Sequence, residues 1–113
     1  MKIITDSIIL EELKQMASAM FGNSVKAVVD TGRGLIAVDA ELHSDLEALL
    51  LQDGSKQKDL WGINLYPELE GEDFIEFDSM INMRPSQDNR SRGVNDEGIR
   101  KKIIEIAAKR IKR

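Results

Sequence analysis

Apolar residues recur along this chain in two rhythms, and the places where one gives way to the other mark its elements. Ile9, Leu13, Met16 and Met20, with Leu10, Ala17 and Phe21, fall three and four apart, which predicts an amphipathic helix. Asp6 or Ser7 would cap its start and Gly22 would stop it. Ahead of it, Ile3 and Ile4 suit a short strand. Beyond it, residues 25–31 are rich in β-branched side chains, with Val25, Ala27 and Val29 on one face. Thr31-Gly32-Arg33-Gly34 is turn chemistry and predicts a hairpin to a strand starting at Leu35.

The longest alternation follows. Ile36, Val38, Ala40, Leu42, Ser44, Leu46, Ala48 and Leu50 hold the even positions, and Asp39, Glu41, His43, Asp45 and Glu47 lie between them. Period two predicts a long strand with one face buried and one wet. A helix competes for residues 44–52, because Ser44 with Glu47 reads as a capping box and Leu42, Leu46, Leu49 and Leu50 also fit helical spacing. Residues 53–59 are a polar loop. Residues 60–66 form a strand with Trp61, Ile63 and Leu65 on one face and Asn64 and Tyr66 on the other.

After Pro67 and an acidic turn, residues 74–84 alternate again: Ile75, Phe77, Ile81 and Met83 point one way, Glu76, Asp78, Met80, Asn82 and Arg84 the other. Residues 85–95 have no period. Asn95 or Asp96 caps a final helix whose stripe is Ile99, Ile103, Ile106 and Ala107. The expected fold class is α+β: one domain over residues 1–113, an antiparallel sheet of four or five strands, an N-terminal and a C-terminal helix on one face, and a polar opposite face.

Composition removes several chemistries. The 113 residues are 42% hydrophobic and 32% charged, contain no cysteine and have one histidine. Thiolate metal sites, cysteine nucleophiles and a two-histidine metal site within one chain are thereby excluded. No run approaches the roughly 18 apolar residues of a membrane span, and no apolar leader follows Met1, so a cytoplasmic protein without a membrane partner is expected. Residues 1–83 carry 6 Lys/Arg against 16 Asp/Glu, a net −10, whereas residues 84–113 carry 10 against 4, a net +6. The overall negative charge argues against non-specific nucleic-acid binding.

The polar sheet face is the expected functional surface. Its candidates are Glu41, His43, Asp45, Glu47, Asn64, Tyr66, Asn82 and Arg84, a set without lysine. The carboxylates around His43 would raise its pKa. The loop after Arg84 adds Gln87, Asn89, Arg90 and Arg92, suited to a carboxylate or phosphate. The main expectation is a non-enzymatic binding or regulatory module for a protein partner or small anionic ligand, with self-pairing of the face into a homodimer as a variant. The alternative is a small hydrolase or ribonuclease-like enzyme acting on a phosphate-containing substrate, with His43 as acid, Glu47 or Glu41 as base and Arg84 or Arg90 stabilising phosphate. No cofactor or metal site is assigned.

Three segments carry a resemblance: Glu41-Leu42-His43-Ser44-Asp45-Leu46-Glu47, residues 54–67 around Trp61-Gly62-Ile63-Asn64-Leu65-Tyr66-Pro67, and Ile81-Asn82-Met83-Arg84-Pro85-Ser86-Gln87-Asp88-Asn89-Arg90. The chain resembles, over nearly its whole length, a family of short prokaryotic proteins catalogued only as a domain of unknown function. That resemblance implies no activity.

Overall fold

Short runs of β-branched and aromatic residues become strands wherever a neighbouring strand can take up their backbone groups. A computed structural model describes all residues, Met1–Arg113. In chain order the elements are β1 (Lys2–Ile4), β2 (Ile8–Ile9), α1 (Leu10–Ala19), β3 (Val25–Asp30), β4 (Leu35–Val38), α2 (His43–Gln52), β5 (Leu60–Leu65), β6 (Ile75–Glu76), α3 (Glu97–Arg110) and β7 (Ile111–Lys112). Five strands make an antiparallel sheet in the order β1-β4-β3-β5-β6, and β2 pairs with β7 in parallel. The α+β class with N-terminal and C-terminal helices is therefore the observed one.

Alternate residues of the central strands enter two separate cores. Ala27 and Val29 of β3, Ile36 and Val38 of β4, and Trp61, Ile63 and Leu65 of β5 join Leu13 and Ala17 of α1 and Ile103, Ile106 and Ala107 of α3. Residues of the opposite parity, Val28, Ala37 and Leu60, pack with Leu46 and Leu50 of α2. The second face of the sheet is thus covered by a helix. It is not the wet face expected from the alternation of residues 36–50.

The strand ends at Val38 because Asp39 takes a left-handed conformation, φ 75°, which a non-glycine residue rarely adopts and which no strand continues. From His43 the chain is helical to Gln52. Its N-cap is Leu42, whose side chain caps nothing, so the expected Ser44/Glu47 capping box does not form. Residues 74–84 also differ from expectation. Only Ile75–Glu76 is strand, and Met80–Asn82 is a 3₁₀ turn capped by the Ser79 hydroxyl, which accepts from the Ile81 N–H. The first helix starts at Leu10, later than Asp6 or Ser7 would set it, because Ile8 and Ile9 are drawn into pairing with Ile111 and Lys112. The last helix begins as expected, with Asp96 accepting from the Ile99 N–H at 3.0 Å.

The strand β6 meets β5 only at Asn64 and Leu65. Side chains complete the rest of that edge. Asn82 accepts from the Gly62 N–H at 2.8 Å and donates to the Gly62 carbonyl at 2.9 Å, so one amide plays the part of a missing strand. A Cβ on Gly62 would stand 2.5 Å from that of Ser79, which shows how closely this segment lies on β5. Across the sheet, the buried Asp30 accepts from the Gly32 and Arg33 N–H groups at 2.8 and 2.9 Å and from the Ser55 hydroxyl at 2.6 Å, tying the β3–β4 turn to the loop behind α2.

Candidate functional site

His43 is the first residue of α2 and shares a helical face with Leu46 and Leu50, at spacings of three and four. The face that docks α2 on the sheet therefore carries the imidazole inward. Its Nε2 lies 2.8 Å from the Ile63 carbonyl oxygen. A carbonyl only accepts, so Nε2 carries the proton and donates. Burial lowers the His43 pKa below its ordinary 6.5; the Ile63 carbonyl and Asp78 oppose this, and Lys26 and Arg92 add to it. The expected upward shift is thus reversed, because the neighbouring acids of the sequence lie around a helix rather than beside the ring on a strand. Glu41 and Asp45 are exposed and Glu47 is half-buried.

The sign for stability follows. With the folded-state pKa below 6.5, protonation favours the unfolded chain. The contribution of His43 is whole above about pH 6.5 and is lost as pH falls from there through the folded-state value. Urea midpoints are expected to fall between about pH 7.5 and 5.5, and a His43→Gln variant to show a shallower fall over that window. Equal slopes would remove His43 as the source.

Beside the imidazole lies an open cleft of about 250 Å³, walled by the first turn of α2, by Lys26 of β3 and Asn64 of β5, and by residues 78–81 with Arg92. Lys26 and Asn64 are register partners across the two strands, which is why they reach one cleft from different parts of the chain. Asn64 is only 8% exposed. Its Nδ2 donates to Glu76 Oε1 at 2.9 Å and to the Asp78 carbonyl at 3.3 Å. Its Oδ1 is buried without any hydrogen-bond partner. Arg92 donates through Nε to Asp78 Oδ1 at 2.6 Å. Leu42 and Met80, 55% and 64% exposed, give the cleft an apolar border.

Of the residues expected from sequence, His43, Asn64 and Arg92 meet in this cleft. The others are distributed differently. Tyr66 donates its hydroxyl to Glu76 Oε1 at 3.0 Å, the same oxygen that receives Asn64; burial and this carboxylate push the phenol pKa up. Asn82 is committed to Gly62 and to the Arg92 carbonyl. Asn89, also buried, donates to the carbonyls of Asn82, Ser91 and Gly93 and accepts from the Asn95 N–H, so it holds the loop of residues 82–95 in shape. Gln87 donates to the Lys58 carbonyl. Arg90 is exposed and makes no ion pair or side-chain hydrogen bond.

Arg84 is spent on structure. Its guanidinium donates to the carbonyls of Gln57, Leu60 and Ile81 and stacks over Trp61, 4.3 Å from the ring centre. The carboxylate whose charge acts on it is Glu47, and neither residue lines the cleft of His43. The acid, base and phosphate-stabilising trio expected for a hydrolase is not gathered in one place. No group of three or more His, Asp or Glu side chains is placed to hold a metal ion, and no helix is long and apolar enough to cross a membrane. Lys26 is the cleft residue that sequence reasoning missed. The alternation of Val25, Ala27 and Val29 already put it on the opposite face, directly available to that reading.

Comparison with known proteins returns one family, described as "Protein of unknown function (DUF5674)", whose profile matches residues 2–110. The chain belongs to that family. No curated protein and no solved structure matches it.

Proposed function

We propose that this protein is a non-enzymatic binding module that holds a small anionic ligand in the cleft beside His43. The observation that supports the reading is the convergence of two cationic side chains, Lys26 and Arg92, on one open cleft at the start of α2. Asp78 neutralises Arg92 through their ion pair, and Lys26 makes no ion pair. The first turn of α2, without a side-chain cap, adds N–H groups and the positive end of a helix dipole at the same place. The arrangement selects for negative charge, and Asp78, the carboxylate that shares the cleft with His43, is held by Arg92.

Titration of the ¹⁵N-labelled protein with acetate and with inorganic phosphate tests this. Saturable shifts are expected in the backbone amides of His43, Ser44 and Asp45 and in the Asn64 side-chain amide. A Lys26→Gln, Arg92→Gln double variant, which changes two side chains at the mouth of the cleft, is expected to lose them. Absence of saturable shifts with both anions, or shifts that persist unchanged in the double variant, would overturn the reading.

A further inference from the structure

Between α3 and the segment of residues 71–77 runs an open trough, on the side of the sheet away from α2. Arg100, Ile104 and Ala108 face it at intervals of four, which sets one stripe of α3 along its wall. Ile75 and Phe77 form the wall opposite. Ile104 is 49% exposed, Ile75 and Phe77 are half-buried, and a Cβ on Gly71 would meet no atom within 4 Å. At one end Arg113 stacks over Phe74, 4.6 Å from the ring centre. At the other, Arg100 on the helix and Glu72 on the facing segment share the groove. These opposite charges do not meet, and neither enters an ion pair. Arg100 donates through Nη1 to the Val94 and Asn95 carbonyls. No residue of the trough borders the cleft of His43.

An exposed apolar strip rimmed by charge marks an interaction surface, and the order of the charges selects the partner. A purely acidic partner is repelled by Glu72, and a purely basic one by Arg100. The surface calls for the reverse order of signs across an apolar strip. A second copy of this chain presents that order when turned about a two-fold axis. We propose that the trough is the interface of a homodimer whose two-fold axis runs along it, laying α3 of each protomer over residues 71–77 of its partner. Because Arg100 and Glu72 stand at the same end of the trough, this axis sets Arg100 of one protomer against Glu72 of its partner, twice. Ile104 of each protomer then covers Ile75 of the other beside the two pairs. The strip is shorter than a standard interface of about 20–30 residues a side, so the dimer forms and dissociates with concentration.

Sedimentation velocity of the full chain, at concentrations from about 1 μM to 1 mM, reads the association directly. The expected result is a rise toward twice the monomer mass. Ile104→Asp, a change at an exposed position that leaves the folded monomer intact, is expected to hold the chain monomeric over the same span. The charge pair has a sharper signature. Arg100→Glu sets glutamate against glutamate across the axis, and Glu72→Arg sets arginine against arginine. Each variant alone is expected to need roughly tenfold more protein to associate, because like charges then face each other. Mixed in equal amounts, the two variants regain both opposite-charge pairs in one heterodimer, and association is expected to return. The Ile104→Asp and Glu72→Arg results decide the matter if Arg100→Glu does not fold by circular dichroism. A monomer at every concentration overturns the proposal and leaves the trough to a partner other than this chain. A dimer that Ile104→Asp leaves intact overturns it as well, since the contact then lies elsewhere. Charge variants that associate no more readily mixed than alone overturn the two-fold pairing of Arg100 with Glu72.

Discussion

Truncation of Leu46 to alanine is expected to cost about 2–5 kcal/mol of folding stability in urea denaturation, the range for a fully buried leucine in a core that cannot collapse around the gap. Leu46 and Leu50 are 0% exposed, and with Val28, Ala37 and Leu60 they form the core beneath α2. The same measurement on Leu51, 41% exposed on that helix, is expected to give a change within about 0.5 kcal/mol, as for surface positions. Val28 supplies the sharper comparison. A sheet with a wet second face would leave Val28 in solvent and uncoupled from Leu46. With α2 docked there, Leu46→Ala and Val28→Ala are expected to be non-additive by about 0.5–3 kcal/mol, as for residues in contact. Additivity of the two losses would place Leu46 and Val28 in separate environments.

Replacement of Asn82 by alanine is expected to be as damaging, for a different reason. Asn82 is 0% exposed and supplies both the acceptor and the donor for Gly62 on an edge that β6 does not reach. Its loss leaves a buried N–H and a buried carbonyl unpaired at about 1–3 kcal/mol each, so about 2–6 kcal/mol in all. Native-state hydrogen exchange locates the effect: the Gly62 amide is expected to exchange faster in the variant by more than the global loss of stability accounts for. Unchanged relative protection at Gly62 would show that another group serves this edge.

These two residues also mark where the sequence could be read and where it could not. The strands β3 and β5 and the helix α3 were legible because each pairs an unambiguous rhythm with a boundary signal: the turn at Thr31–Gly34, Pro67 after β5, Asp96 before α3. The stretch from Ile36 to Leu50 was not. A strand places residues two and four apart on one side, a helix residues three and four apart, and Leu42, Leu46 and Leu50 at intervals of four satisfy both. What separates the two readings is the set of positions they disagree on. Ser44 and Ala48, inward in a strand, are exposed, and His43, outward in a strand, is buried. The small size of Ser44 and Ala48 and the spacing 43-46-50 were the available signals.

The site was half legible for a related reason. A polar side chain in a sequence does not declare whether its hydrogen bonds go to a ligand or to the chain's own backbone. Asn82, Asn89 and Arg84 were read as recognition residues, and they recognise the backbone of this protein: Gly62, the loop of residues 82–95, and the carbonyls of Gln57, Leu60 and Ile81. Their work is to close the edge of β5 that no strand covers, and in doing so they set the 78–82 segment that forms one wall of the cleft. Asn64 differs from them in one atom, the Oδ1 that the chain leaves unpaired. That difference is invisible in the sequence.

Everything functional in this account depends on α2 lying on the sheet with His43 turned inward beside Asn64. A long-range ¹H–¹⁵N correlation spectrum of the single histidine, recorded near pH 7.5, reads this directly. The expected result is a neutral ring protonated at Nε2 alone, donating to the Ile63 carbonyl, with Nδ1 bare. A ring protonated at Nδ1, or the fast-averaged pattern of a solvent-exposed imidazole titrating at its ordinary 6.5, would contradict it.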